Sequence, residues 1–288
     1  MSKENEAVIL SAARTPIGKF QGSLASLPAT QLGAIAVKAA VERAGINPEE
    51  IEEVIMGNVV QAGEGQAPAR QSSIHAGVPA TVGATTVNKV CGSSLKSAMM
   101  AAQAIRAGDA DLFVAGGFES MSRAPYLVAG RSGELKFGNQ ALTDALLNDG
   151  LWDPFENWGM GMAAEFIADE YEVTREAMDQ FALRSHEKAV EAQEKGRFNA
   201  EIVPVQIAGR KGAVTEVTQD EGPRKETTLE ALSKLKPAFK ADGKVSPGNS
   251  SQMSDGGVAV VVASRAYAEQ HGLKPMARIV GYTHAAVE

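Results

Sequence analysis

Cysteine is all but missing from this chain: one residue, Cys91, stands among 288. An intramolecular disulfide is therefore excluded, and the composition fits a reducing compartment. Positive charge is also in deficit. Lys and Arg number 28 against 35 Asp and Glu, a net charge of −7, and the densest basic stretches, Gly209-Arg210-Lys211 and Arg224-Lys225, are short. Nucleic-acid binding is not expected of such a chain. No apolar run approaches the length of a membrane span, and the opening MSKENEAVIL has no signal-peptide pattern. These absences predict a cytoplasmic protein with no membrane partner. What remains is ordinary globular composition, 44% hydrophobic and 22% charged, with length for about two domains.

The first part of the chain alternates strand and helix signals. Residues 7–10 form a short apolar run, followed by a loop punctuated by Pro16 and Gly18. Arg14 in that loop pairs with a carboxylate or is simply solvated; the residues leave both open. Residues 30–44 carry helix periodicity through Leu32, Ile35, Ala36, Ala39 and Ala40, stopped by Gly45 and Pro48. Residues 53–60 are a second strand. The glycine-rich loop 62–66 lacks the lysine and spacing of a phosphate loop and reads as a plain connection. Residues 68–76 predict a helix and residues 110–116 a further buried strand. An order of this kind argues for an α/β sheet with helices on both faces.

From about residue 123 to 250 long apolar runs are few and turn signals many, as in an inserted second domain. Helices are predicted over 161–171, 175–195 and 229–234. In the second of these, Met178, Phe181, Ala182, Ser185, Ala189 and Ala192 fall on one stripe, read as core packing. The run VAVVVA at 258–263 has the character of a central strand and returns the chain to the first domain. A short helix over 267–272 and the start of another strand at 277 follow.

Residues 85–108, TTVNKVCGSSLKSAMMAAQAIRAG, are the centre of this plan. Thr85, Thr86, Val87 and Val90 suit a strand. From Leu95 the spacing becomes helical, through Ala98, Met99, Ala102 and Ile105, and Gly108 is placed to end the helix in the left-handed conformation. Cys91 then sits at a helix start, where unpaired N–H groups favour a thiolate. A lone cysteine is often just a small buried hydrophobe. Gly92, Ser93 and Ser94 keep the approach to sulfur open and turn the reading toward a nucleophile for acyl transfer.

VNKVCGSSLKS resembles the active-site segment of the thiolases, which make or cleave 3-ketoacyl-CoA. Other segments match in the family's order: Arg14-Thr15-Pro16 after the first strand, AGGFESMSRAPY, WGMGMAAE, GPRKETTLEALSKLKPAF and SPGNSSQMSDGG. The likeness runs from Ala7 to the end of the chain. It implies a thiolase-like layered α/β fold, helices on a mixed five-stranded sheet, with an inserted loop domain. Residues 1–122 and 251–275 would form the N-terminal domain and 123–250 the CoA-binding loop domain. Residues 276–288 would be the first strand of an absent C-terminal domain. The resemblance makes Cys91 the acyl-carrying nucleophile. It places Met160 along the pantetheine, Arg224 beside the nucleotide end of CoA, Leu151 and Phe239 as apolar contacts, and Ser251 at the pantetheine amide. Gly159 stands where the family often has histidine. The implied reaction joins two acetyl-CoA into acetoacetyl-CoA and CoA, reversibly. CoA is a substrate, and no metal or prosthetic group is implied. A homo-oligomer is.

The family's second α/β copy brings a Gly-His-Pro histidine, an asparagine segment and a second cysteine; none is present in these residues. His75, His186, His271 and His284 are each followed by something other than proline, so none is assigned as base. Condensation needs a base for the α-proton. The chain alone is therefore expected to be catalytically incomplete, and another chain supplying the missing half is an alternative. A longer-chain 3-ketoacyl-CoA thiolase is a second alternative. A decarboxylating condensing enzyme using acyl carrier protein is disfavoured by the CoA-type loop domain.

Overall fold

Small and β-branched residues build one mixed sheet. The computed structural model describes residues 5–128, 130, 137–209 and 212–287, so Arg210 and Lys211 of the basic stretch lie outside the described residues. In chain order the principal elements begin with β1 (Ala7–Arg14), α1 (Ala29–Ala44), β2 (Glu53–Gly57), α2 (Pro68–His75) and β3 (Gly83–Val87). Next come α3 (Ser93–Ala107), β4 (Leu112–Ser120), α4 (Met160–Glu170) and α5 (Arg175–Glu194). The chain closes with a hairpin of β5 (Val205–Ala208) and β6 (Val214–Val217), then α6 (Leu229–Ser233), β7 (Ser254–Ser264), α7 (Arg265–Gln270) and β8 (Ala277–Arg278).

The large sheet has the order β8-β1-β7-β4-β2-β3. β7 runs antiparallel to both β1 and β4, whereas β2 is parallel to β4 and β3. The five long strands make the expected mixed sheet. The two-residue pairings of β8 with β1 and of Gly18–Lys19 with β7 extend it. Side chains alternate across it. Val54, Met56, Val114, Phe118 and Val261 face Val37, Ala40 and Ala69 of α1 and α2. Ile55, Phe113, Ala115 and Val262 face Ala101, Ala102 and Ile105 of α3.

Several boundaries differ from expectation. β1 runs on to Arg14, because its pairing with β7 continues past an irregularity between Ile9 and Ser11. The buried hydroxyl of Ser11 is satisfied by donating to Ala40 C=O at 2.6 Å. β2 stops at Gly57, where the chain turns. The strand expected to start at residue 277 is two residues long, after which Arg106 donates to Ile279 C=O at 2.6 Å and lies over the Tyr282 ring.

The chain divides into two compact units. The first comprises the residues up to Arg123, Glu201–Thr218 and those from Ser254 on; the second comprises Ala124–Ala200 and Gln219–Met253. The interval 123–250, expected to be one insertion, is thus interrupted by the β5-β6 hairpin. Its Val205 and Val217 pack on Leu24 and Leu32 of the first unit. Arg14 meets Glu201 at 2.8 Å, which settles its partner as a carboxylate.

In the second unit α5 buries only Asp179. In the stripe read as core, Met178, Ala182, Ala189 and Ala192 are only half-buried, and Phe181 is 65% exposed. Polar contacts anchor the helix instead. Asp179 accepts from Arg175 Nε at 2.8 Å and from Asn249 Nδ2 at 2.9 Å, while Arg175 donates to Leu232 C=O. Among the described residues no helix is long and apolar enough to cross a membrane.

Candidate active site

Two glycines bring the sheet against the head of α3. A Cβ on Gly57 would lie 2.6 Å from the Ser94 backbone nitrogen. One on Gly117 would overlap Ser94 Oγ and lie 2.9 Å from Gly57 O. Only glycine permits this approach. One turn further along, Ser97 Oγ accepts Gly116 N–H at 2.9 Å and donates to Gly116 C=O at 2.8 Å. The buried side of α3 is therefore Ser93, Ser97, Met99, Ala101, Ala102 and Ile105. Leu95, expected on that side, is 71% exposed. Apolar spacing found Met99, Ala102 and Ile105 on this face but missed its first turn, which is serine, suited to close packing and hydrogen bonding. Gly108 ends the helix in the left-handed conformation, as expected, at φ +80°.

The segment between β3 and α3 is a tight turn. Asn58 N–H donates to Val87 C=O at 3.0 Å where β3 ends. Asn88 Oδ1 then accepts Val90 N–H at 2.9 Å. Ser93 Oγ accepts Lys89 N–H at 2.8 Å and donates to Val90 C=O at 2.6 Å. Val90, expected within the strand, instead adopts φ +47° and is exposed. That conformation is costly for a β-branched residue and persists only where the surroundings impose it. Cys91 follows it. Its thiol is free and exposed, unlike a buried structural cysteine, and it directly precedes Gly92, the cap of α3. The helix dipole there favours developing negative charge.

A group of carboxylates lies at the ends of β2, β4 and β7. Glu119 accepts from Val59 N–H at 2.9 Å, Val60 N–H at 3.3 Å and Asn58 Nδ2 at 3.1 Å. Asn58 Nδ2 also reaches Glu64 at 3.4 Å, and Asp255 accepts Ser122 N–H at 3.0 Å. Burial pushes Glu119 up, the Val59 and Val60 N–H groups hold it down, and Asp255 pushes it up again. Burial, then the Glu119 charge, push Glu64 up to about 7. The loop 62–66, read as a plain connection, thus carries a perturbed acid. No local motif marks Glu64, so only its packing reveals it.

Folded Glu64 keeps its proton where the unfolded chain, near the ordinary value of 4.5, has lost it. Its contribution is complete below that value and is lost as pH rises toward about 7. Glu64→Gln is expected to raise the urea midpoint at about pH 8 and to flatten its decline from about pH 5. Urea titrations of both proteins across that range check this.

The residues matched to CoA contacts fall in the second unit in two groups. Leu151 ends a π-helical turn, Leu146–Leu151, and its carbonyl lies 3.7 Å from where a Gly159 Cβ would be. Met160 opens α4 and is 41% exposed. Phe239 covers Gly161, leaving no room there for a Cβ. Leu151 and Phe239 thus lie against the two glycines that flank Met160.

Arg224 lies elsewhere in this unit, beside α5. Its backbone N–H donates to His186 Nδ1 at 3.1 Å. Burial and then the Arg224 charge keep His186 below its ordinary pKa, in the neutral form that accepts. A cleft of about 210 Å³ is lined there by His186, Val190, Arg224, Lys225 and Thr227, among others. His186, not assigned as base, makes this hydrogen bond across 38 residues of sequence, and its place in the cleft was not legible in the sequence. Exposed Ser251 precedes Gln252, whose amide lies against Gly222, two residues before Arg224. Among the described residues no group of three or more His, Cys, Asp or Glu could hold a metal.

Helices on both faces of a mixed sheet, with a cysteine turn leading into the buried helix, define a layered α/β fold of the thiolase type. Residues 7–266 match the family model for the thiolase N-terminal domain, and the chain belongs to the thiolase family. It is 52% identical over 283 residues to an acetyl-CoA acetyltransferase of Cupriavidus necator, covering 98% of this chain and 72% of that protein. It is 49% identical over 283 residues to one of Pseudomonas aeruginosa, with the same coverage. The crystal structure of the Bacillus anthracis acetyl-CoA acetyltransferase superposes with a TM-score of 0.95 at 38% identity, covering 98% of this chain and 71% of that one.

Proposed function

We propose that this protein transfers acyl groups between CoA thioesters through an acyl-Cys91 intermediate, with acetyl-CoA and acetoacetyl-CoA as substrates. The observation that carries the reading is an exposed thiol held by a strained turn at the head of a buried helix. Cys91 Sγ attacks the acetyl-CoA carbonyl, the CoA thiolate leaves, and acetyl-Cys91 forms. A second acetyl-CoA, its α-proton passing by way of a base to the departed CoA thiolate, then attacks that carbonyl. Acetoacetyl-CoA is released and the Cys91 thiolate is restored.

The second unit holds CoA in this reading. Arg224 and Lys225 offer positive charge to phosphate, and a guanidinium also suits adenine stacking. His186 holds the Arg224 backbone in place. Leu151, Met160 and Phe239 offer the apolar wall for pantetheine, and Ser251 a polar contact to its amide. The cell compartment is the cytoplasm. The protein assembles with itself; the outer edge of β3 has no strand partner among the described residues, and such an edge is a ready place for association.

Mixing the protein with acetyl-CoA is expected to add one acetyl group, located on Cys91 by peptide mapping. Cys91→Ser should add none. Equal labelling of the variant, or none in the parent, overturns the reading.

A further inference from the structure

We infer that Glu119 is a positioning residue for Cys91: its carboxylate clasps the turn after β2 and so fixes the end of β3, from which the cysteine turn departs. The inference rests on Cys91 being the acyl carrier.

The chain of contacts is short. Glu119 takes N–H donors from Val59, Val60 and the Asn58 side chain. Asn58 also donates its backbone N–H to Val87, and Asn88 next along opens the Cys91 turn. Glu119 lies two residues past Gly117 on β4, so the two share a side of that strand. Gly117 seats Ser94 at the head of α3, and Glu119 secures the turn beside it.

Both Glu119 oxygens face N–H donors. A carboxamide would turn its own NH₂ toward some of them, so the negative group is required by geometry. The fold tolerates a poor setting to keep it. Glu64 and Asp255 stand near, and Asn58 Oδ1, Glu64 Oε2, Asp255 Oδ2 and Ser120 Oγ are buried with no hydrogen-bond partner among the described residues. Unsatisfied groups gathered in one place call for a reason other than stability, and sites that serve function are where such costs are kept.

The test follows acetyl-Cys91 formation at increasing acetyl-CoA, together with backbone amide exchange and the urea midpoint. Glu119→Gln is expected to lower the maximal acetylation rate about tenfold, the scale of one lost charge-assisted hydrogen bond. The half-saturating acetyl-CoA should not change. Amides of the Cys91 turn and the first turn of α3 should exchange about tenfold faster while β1 and β7 do not. Glu119→Asp should recover part of the rate, and Glu64→Gln should match the parent. If Glu119→Gln does not fold, Glu119→Asp against the parent carries the same comparison.

An unchanged rate and exchange in the variant overturns the inference. So does a loss that only follows the urea midpoint, with all amides moving together. If the parent forms no acetyl-Cys91, the acyl-carrier reading fails, and local exchange at the turn alone decides whether Glu119 positions it.

Discussion

Acetoacetyl-CoA cleavage by the 288-residue chain is expected to run roughly 10²–10⁴-fold slower than by the Cupriavidus necator relative measured beside it. The reason lies around Cys91. Acylation asks for a thiol and a site that favours negative charge, and both are at the head of α3. Condensation and its reverse also ask for a group that moves a proton at the α-carbon.

Among the described residues no histidine is bonded to Cys91. His75 closes α2, His186 accepts from Arg224, and His271 stacks on Tyr267 and faces Glu50. His284 lies past β8. Groups that act as a unit fail together, so one step can proceed while turnover does not. The expected pattern is acetylation of Cys91 without sustained cleavage, followed by absorbance of acetoacetyl-CoA. Turnover at the relative's rate, abolished by Cys91→Ser, would show that another residue serves as base.

Gly117→Ala is expected to destabilise the first unit strongly. The added carbon would overlap Ser94 Oγ, which can rotate, but it would also lie 2.9 Å from Gly57 O, which is backbone. Strand and helix must then separate. Overpacking costs about 1–3 kcal/mol, and a contact with backbone puts this one at about 3 kcal/mol. For a chain of this size that is a fall of roughly 6–12 °C in Tm. Cys91 acetylation should fall further than stability alone explains, because the displaced segment is the head of α3. Gly281→Ala is the control: nothing lies within 4 Å of its Cβ position, and Tm should hardly move. Thermal denaturation of the three proteins, with acetylation rates below the transition, checks both parts. Equal melting of Gly117→Ala and the parent would refute the close-approach argument.

Local chemistry made much of this legible in the residues themselves. Gly45 and Gly108 end their helices with positive φ because few residues but glycine adopt it cheaply. The β-branched run at 258–263 is a central strand because such side chains fill both faces of a pleated sheet. The cysteine turn was recognisable because its motif is contiguous.

Folding itself decided the rest, wherever the partners lie far apart in the chain. Nothing near Glu64 announces that Glu119 will sit beside it, or that burial will hold its proton. Ser97 reads as a surface residue until Gly116 is brought against its hydroxyl. Val205 and Val217 lie inside the inserted stretch, yet pack on Leu24 and Leu32, because an apolar hairpin face goes where the matching apolar surface is. Cys91 could be named from its neighbours in sequence. How it is held depends on Val87, Asn58 and Glu119, which meet only when β2, β3 and β4 lie side by side.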